Sequence, residues 1–218
     1  MSLETLQIET GELQENCYIL WETGRTDAIV FDPGADPEVI EAALKEHGLN
    51  IAIFLQTHCH FDHIGALTDL KAKYPAAPIH VPEAEESWMQ RPTLNLSFFF
   101  GHPITAPNAD HLVKENDVIE VAGLSLKAIL VPGHSPGSTC YFVSVPNEKP
   151  HVFSGDTLFC GGIGRTDLPG GSGEEALIAN IQTKLFVLPD NTIVHPGHGP
   201  ETQIGREKKV NPYCRAGI

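Results

Sequence analysis

Short apolar runs bounded by turn residues alternate with stretches of helical spacing along most of the chain. Tyr18-Ile19-Leu20-Trp21 and Ala28-Ile29-Val30-Phe31 are continuous and partly β-branched, and Asp32-Pro33-Gly34 ends the second, which predicts two buried strands. A helix should follow: Asp36 stands where a cap is needed, Pro37 suits the first helical position, and Val39, Ile40, Ala43, Leu44 and His47 recur at helical spacing until Gly48. Residues 51–55 predict a buried strand running into Thr57-His58-Cys59-His60-Phe61-Asp62-His63. Helix is then expected over 64–74, a short strand over 78–81 and helix over 82–90. The stretch 91–110 has no periodicity and holds Phe98, Phe99 and Phe100. Strands are predicted near 111–121, 124–131, 139–145 and 151–155, helix over 174–186, strand over 191–194 and a short helix near 201–209. Without repeats, linkers or low-complexity segments, the order of elements predicts a layered α/β domain with its sheets inside.

Composition narrows the classes. The chain has 218 residues, 14 Lys and Arg against 28 Asp and Glu, and a formal charge of −14. One domain spanning 1–218 fits that length and can bury a core without disulfides. The acidic balance argues against a nucleic-acid partner, because neutralising phosphates takes a basic face. The 5 cysteines, Cys17, Cys59, Cys140, Cys160 and Cys214, form no CxxC pair and suggest neither a disulfide framework nor a cysteine-rich zinc motif. No apolar stretch is long enough for a membrane span, and the first residues carry acids instead of a signal-peptide core, so a cytoplasmic location is expected. The unusual number is the 11 histidines, nearly as many as all Lys and Arg together.

Three of them, with an aspartate, fall within six positions at a strand end. In extended chain His58 and His60 point to one side, and a turn into helix can bring Asp62 and His63 back toward the same point. Imidazoles with a carboxylate suit zinc, iron or manganese. Three further loops follow predicted strands: Gly133-His134-Ser135, Gly155-Asp156-Thr157 and His195-Pro196-Gly197-His198-Gly199. Each alone reads as an ordinary turn. Together they place His or Asp at strand ends able to converge on one rim.

The motifs HCHFDH, GHS, GDT and GHG, in that order, resemble the metallo-β-lactamase superfamily, and most closely its short glyoxalase II-like (hydroxyacylglutathione hydrolase-like) bacterial branch. The resemblance runs from NCYIL and FDPG to GPETQIGREKKVNP. It implies a four-layer αββα sandwich with two divalent metal ions, zinc first with iron or manganese also accommodated, at one edge of the paired sheets. Carried over position by position, His58, His60 and His134 would hold one ion, Asp62, His63 and His198 the other, and Asp156 would bridge them. His195 would lie behind the site or be a plain loop residue, Asp32 would brace a turn without touching metal, and Cys59 would pack away from the ligands. The implied reaction is hydrolysis of an S-acylglutathione such as S-lactoylglutathione, a small-molecule thioester, by metal-bound hydroxide, with Asp62 also orienting the nucleophile.

The substrate signal is thinner. In glyoxalase II a Lys and a Tyr after the bridging aspartate hold a glutathione carboxylate; the matching positions here are Arg165, which can bind a carboxylate bidentately, and Asp167, which departs from the Tyr. A helical C-terminal glutathione-binding domain is not expected, since few residues follow His198. The segment Gly164-Arg165-Thr166-Asp167 also resembles persulfide dioxygenases, which use a single iron, but those lose the pattern around the last histidine that is kept here. A superfamily RNA nuclease fits the acidic charge poorly, and a non-catalytic metal-binding module is the remaining alternative. Phe98, Phe99 and Phe100 could wall a pocket or be buried under a helix, and His102 could face the metals or cap a turn.

Overall fold

The computed structural model describes residues 2–215. Its first half builds one six-stranded sheet in simple sequence order: β1 (Leu3–Thr10), β2 (Glu15–Glu22), β3 (Asp27–Phe31), β4 (Asn50–Leu55), β5 (Ile79–Pro82) and β6 (His111–Val113). The second half builds another from β7 (Val118–Val121), β8 (Leu124–Leu130), β9 (Thr139–Val143), β10 (His151–Gly155), β13 (Ile193–Pro196) and β14 (Thr202–Gln203), ordered β14-β13-β10-β9-β8-β7. Between β10 and β13 a small hairpin of β11 (Leu158–Phe159) and β12 (Gly162–Ile163) stands apart from both sheets. The helices are α1 (Pro37–Glu46), α2 (Phe61–Ile64), α3 (Leu67–Lys73), α4 (Glu174–Asn180) and α5 (Ile204–Val210). None of the helices among the described residues is long and apolar enough to cross a membrane.

Strands that read as unbroken apolar runs are those buried on both faces. Leu20, Ile29, Phe31, Ile53 and Leu55 meet Leu126, Ala128, Tyr141, Val143 and Phe153 between the sheets. Their neighbours Ile19, Val30 and Phe54 point the other way, under Ile40 and Leu44 of α1 and Leu67 and Leu70 of α3. On the far side, Cys140, Val152 and Val194 are covered by Leu177 of α4, Ile181, Leu185 and Ile204 of α5. The layers are therefore helix, sheet, sheet, helix, the αββα sandwich expected. Phe31 lies face to face with Phe153, ring centroids 3.9 Å apart, at the middle of the inner layer. Phe31→Ala should cost about 3–5 kcal/mol of unfolding free energy, read from urea denaturation, because the cavity left between two sheets cannot close.

Several predicted boundaries give way to tertiary demands. The expected strand over 111–121 is two strands in different sheets, β6 and β7, with the chain crossing at 114–117, where Asn116 takes a φ of 67°. The helix expected over 64–74 starts earlier and breaks between α2 and α3, where the Ala66 N–H leaves the helical ladder to donate to the Pro33 carbonyl at 3.0 Å. Residues 83–90 wind as a 3₁₀ helix, and the helix expected through 186 turns π-helical over Ile181–Leu185. Asp36 does not cap α1 with its side chain; its carboxylate accepts a hydrogen bond from the Gly11 N–H at 2.8 Å instead.

Candidate metal centre

The sheet topology fixes where the chemistry goes. β10 and β13 run parallel, and β8 runs the same way two antiparallel steps from β10, so the loops after all three leave one edge of the second sheet. The loop after β4 leaves the facing edge of the first sheet and enters α2, whose first turn carries Asp62 and His63. The side chains read as ligands from the sequence converge there.

Three ring nitrogens form a tight triangle: His58 Nε2 is 3.0 Å from His60 Nδ1 and 3.2 Å from His134 Nε2, and the last two are 2.9 Å apart. Beside it, His198 Nε2 is 3.4 Å and His63 Nε2 3.9 Å from Asp62 Oδ2. Asp156 spans the two groups, with Oδ2 3.6 Å from His134 Nε2 and 3.7 Å from His198 Nε2, and Oδ1 3.5 Å from His63 Nε2. Each trio brings its ligand atoms within 4.8 Å of one another.

The outer nitrogens say which atoms face inward. His134 Nδ1 donates to the Arg165 carbonyl at 2.7 Å, His63 Nδ1 to the Asp32 carboxylate at 3.1 Å and His198 Nδ1 to the Gln14 carbonyl at 3.3 Å. His58 Nδ1 lies 3.1 Å from Thr57 Oγ1, whose own proton goes to Asp32 at 2.6 Å, so this hydroxyl accepts. Oxygens that can only accept hold the proton on Nδ1 and turn the Nε2 lone pair into the site, the usual brace behind a metal-ligating histidine. His58 and His134 therefore aim two lone pairs at each other across 3.2 Å, and one proton on His60 cannot satisfy both well. A cation at the centre does: ligands about 2.0–2.1 Å from a tetrahedral ion stand roughly 3.3 Å apart. His63 Nε2 and Asp156 Oδ1, both buried, likewise have no hydrogen-bond partner. The residues fit two divalent cations.

Burial drives His58 well below the usual histidine range and His60 down to about 3, and neighbouring imidazoles add to both, so these two are neutral donors. In the other half burial also opposes charge on His63, yet Asp62 and Asp156 carry it well above its usual range. Asp156 is held far below the usual carboxylate range because His63, with His134 and His198, outweighs the burial penalty. A cation there takes the place of the His63 proton.

Other residues build the frame. Asp32, at a left-handed φ of 45°, accepts from the Thr57 N–H at 2.7 Å as well as from its hydroxyl and from His63. Asn16 of β2 donates its amide to the carbonyls of Pro196 and Gly199 at 2.9 and 2.8 Å, and its own N–H to Gly197 at 2.8 Å, clasping both flanks of His198. Glu85, wholly buried, accepts the Cys59 N–H at 2.6 Å and the Gly137 N–H at 2.7 Å, tying the His58–His60 loop to the His134 loop. Sequence reasoning missed Glu85, although a signal existed: it shares the inward helical spacing of Trp88 and Met89, where an acid is out of place. Cys59 is buried in the apolar cluster under α1 and α3, as expected. His195 sits behind the site, stacked on Phe153 at 4.5 Å and 2.8 Å from both His151 Nδ1 and Glu201 Oε1.

A cavity of about 450 Å³ opens over the centre, with Phe100, Phe159, Ile163 and Leu168 among its walls and Arg165 at its rim. The Arg165 guanidinium is paired in the loop with Asp167 through two hydrogen bonds of 2.9 Å, and both side chains are exposed. α5 steadies the hairpin that carries Phe159 and Ile163: buried Glu207 accepts the Gly161 N–H at 3.0 Å and Asn211 donates to the Gly162 carbonyl at 3.1 Å. Phe98 and Phe99 line neither this cavity nor a helix contact and are exposed, whereas Phe100 packs on Phe61 and walls the cavity. His102 lines a neighbouring cavity and not the one over the centre.

Comparison with known proteins agrees with this geometry. The family model of the metallo-beta-lactamase superfamily matches residues 10–198. The chain is 40% identical over 95% of its length to 95% of the probable metallo-hydrolase YqgX of Bacillus subtilis, and 34% identical over 99% of both chains to the hydroxyacylglutathione hydrolase GloC of Haemophilus influenzae. Among solved structures, the BLEG-1 B3 metallo-beta-lactamase superposes with a TM-score of 0.91 at 39% identity, covering 97% of this chain and 99% of that one. TTHA1623 in a di-iron-bound form gives 0.81 at 33%, covering 95% and 99%. ETHE1 from Myxococcus xanthus gives 0.77 at 26%, covering 97% and 84%. Fold, ligand geometry and relatives converge: this chain belongs to the metallo-β-lactamase superfamily.

Proposed function

We propose that this metallo-hydrolase cleaves thioesters of glutathione, S-lactoylglutathione among them, with His58, His60 and His134 holding one divalent cation, Asp62, His63 and His198 a second, and Asp156 bridging both. The observation that carries the reading is the triangle of imidazole nitrogens at 2.9–3.2 Å beside a second, carboxylate-rich trio. Two divalent ions, when bound, supply a hydroxide nucleophile at neutral pH and a Lewis acid for the carbonyl oxygen.

The chain's own residues do the rest. Asp62 Oδ2, at the cavity floor, accepts a hydrogen bond from the attacking water and orients it. The braces on Nδ1 of His58, His63, His134 and His198 keep the ligand atoms from reorganising during the reaction. Phe159, Ile163 and Leu168 exclude bulk water and so strengthen every charge interaction inside. The water oxygen forms the new C–O bond, the C–S bond then breaks with its electron pair on sulfur, and the thiolate takes up the proton released by the water, giving acid and thiol. Arg165 offers a glutathione carboxylate a bidentate partner in exchange for Asp167, a trade of exposed ion pairs that costs little.

The second trio argues for hydrolysis over a one-iron dioxygenase, because Asp62, His63 and His198 are all in place. The test is thioester hydrolysis by protein of measured metal content. Two equivalents of metal with cleavage of S-lactoylglutathione are expected, and Arg165→Ala should raise KM about fivefold with kcat nearly unchanged. One iron per chain with oxygen uptake and no thioester cleavage would overturn the reading. No turnover by the fully metallated protein would leave a binding module.

A further inference from the structure

A second cavity, of about 460 Å³, adjoins the one over the metal centre and shares Leu13, Phe61, Asp62 and Phe100 with it. The dividing wall is thus one carboxylate and three apolar side chains. Leu13 and Phe100 are 41% and 54% exposed, so the shared wall is a sill that reaches the surface. The remaining lining includes Ala35, Pro37 and Ile104. Its ionisable members are Glu12, Asp36, Asp62 and His102, with no Lys or Arg among them. Asp36 is spoken for by the Gly11 N–H, which leaves an apolar chamber rimmed by negative charge. An anionic group is repelled from it and an uncharged apolar one is not.

Arg165, in contrast, lines only the cavity over the metals. A thioester held there with a carboxylate of its thiol half at Arg165 has its acyl half directed past Asp62 toward the sill. We propose that the second cavity is an acyl-chain site, and that the preferred substrates are thioesters of uncharged, apolar acyl groups several carbons long, above short hydroxyacyl groups. The inference rests on the thioesterase reading for its chemistry, but the chamber can be tested without turnover.

The probes are the thioethers S-methylglutathione and S-octylglutathione, which cannot be hydrolysed, titrated calorimetrically into metal-loaded protein. The octyl compound should bind tenfold or more tightly, since methylenes leave water on entering the chamber. Ala35→Phe, which adds bulk to the chamber at a lining residue outside the ligand set, should shrink that ratio below threefold; Ile104→Trp does the same from another lining position should the first variant not fold. In parallel, kcat/KM for S-octanoylglutathione should exceed that for S-lactoylglutathione by a similar factor. Equal binding of the two thioethers, or an octyl advantage that survives both variants, overturns the acyl site. Cleavage of S-lactoylglutathione without any chain-length effect overturns it alone, whereas an octyl advantage without cleavage of either thioester upholds the chamber and overturns the hydrolase reading.

Discussion

Asp156→Ala is expected to lower thioester hydrolysis on the order of 10³-fold and to leave fewer than two metal equivalents per chain after dialysis. The carboxylate stands between the two trios, within 3.5–3.7 Å of His63, His134 and His198, and no other carboxylate among the described residues pairs with all three. Without it, His63 loses one of the three carboxylates, Asp62, Asp156 and Asp32, that hold it charged, and two cations would face each other without the aspartate between them. The measurement is metal analysis alongside initial rates, with thermal melting of the same samples. Ligands from the loop after β4 belong to the first sheet, and those from the loops after β8, β10 and β13 to the second, so cations bound here clamp the sheets together. Chelation of the wild type should therefore lower its melting temperature, and Asp156→Ala should lie close to the chelated protein. Two equivalents of tightly held metal in the variant would contradict a bridging role.

Gly197→Ala is the second large effect. A Cβ there would lie 2.3 Å from Asp156 Oδ1 and 2.8 Å from His63 Cε1, so the loop bearing His198 must retreat or both neighbours must move. A displacement near 1 Å at a reacting centre costs about 10²-fold in rate. We expect that loss in kcat, with selective release of the cation at Asp62, His63 and His198 while the other is retained. Gly162→Ala is the control: its Cβ would meet only the Phe159 side chain at an ordinary 3.6 Å, so activity and metal content should stay near wild type. Equal effects of the two substitutions would show that the loop around His198 is not held by close packing.

The contrast between these glycines reflects what a sequence can display. The strands holding Ile19, Val30 and Phe54 were legible because burial on both faces leaves an unbroken apolar run. β1 was not: among its residues only Ile8 and Thr10 are buried, and so thin a stripe on an edge strand hardly differs from loop. The split between β6 and β7 was invisible because both pieces are β-like and only the second sheet claims the latter. At the site, the His58–His63 cluster announced itself by density along the chain. The braces did not, since Asn16 reaches across 180 residues to Pro196 and Glu85 across 52 to Gly137, and neither pairing leaves a local pattern. Arg165 lines the cavity over the centre, and its pairing with Asp167 appears only in three dimensions.

The clasp of Asn16 on the loop around His198 also sets an order of assembly. Synthesis delivers the His58, His60 and His134 trio once the second sheet has begun, whereas Asp62 and His63 must wait for His198, and Asn16 waits with them for Pro196 and Gly199. Until then the chain holds one full trio and only part of the other, with the start of β2 unfastened. A ribosome stalled before residue 198 would thus display a species able to take one metal ion but not two, and chemistry that needs both would switch on only as the last strand-end loop docks.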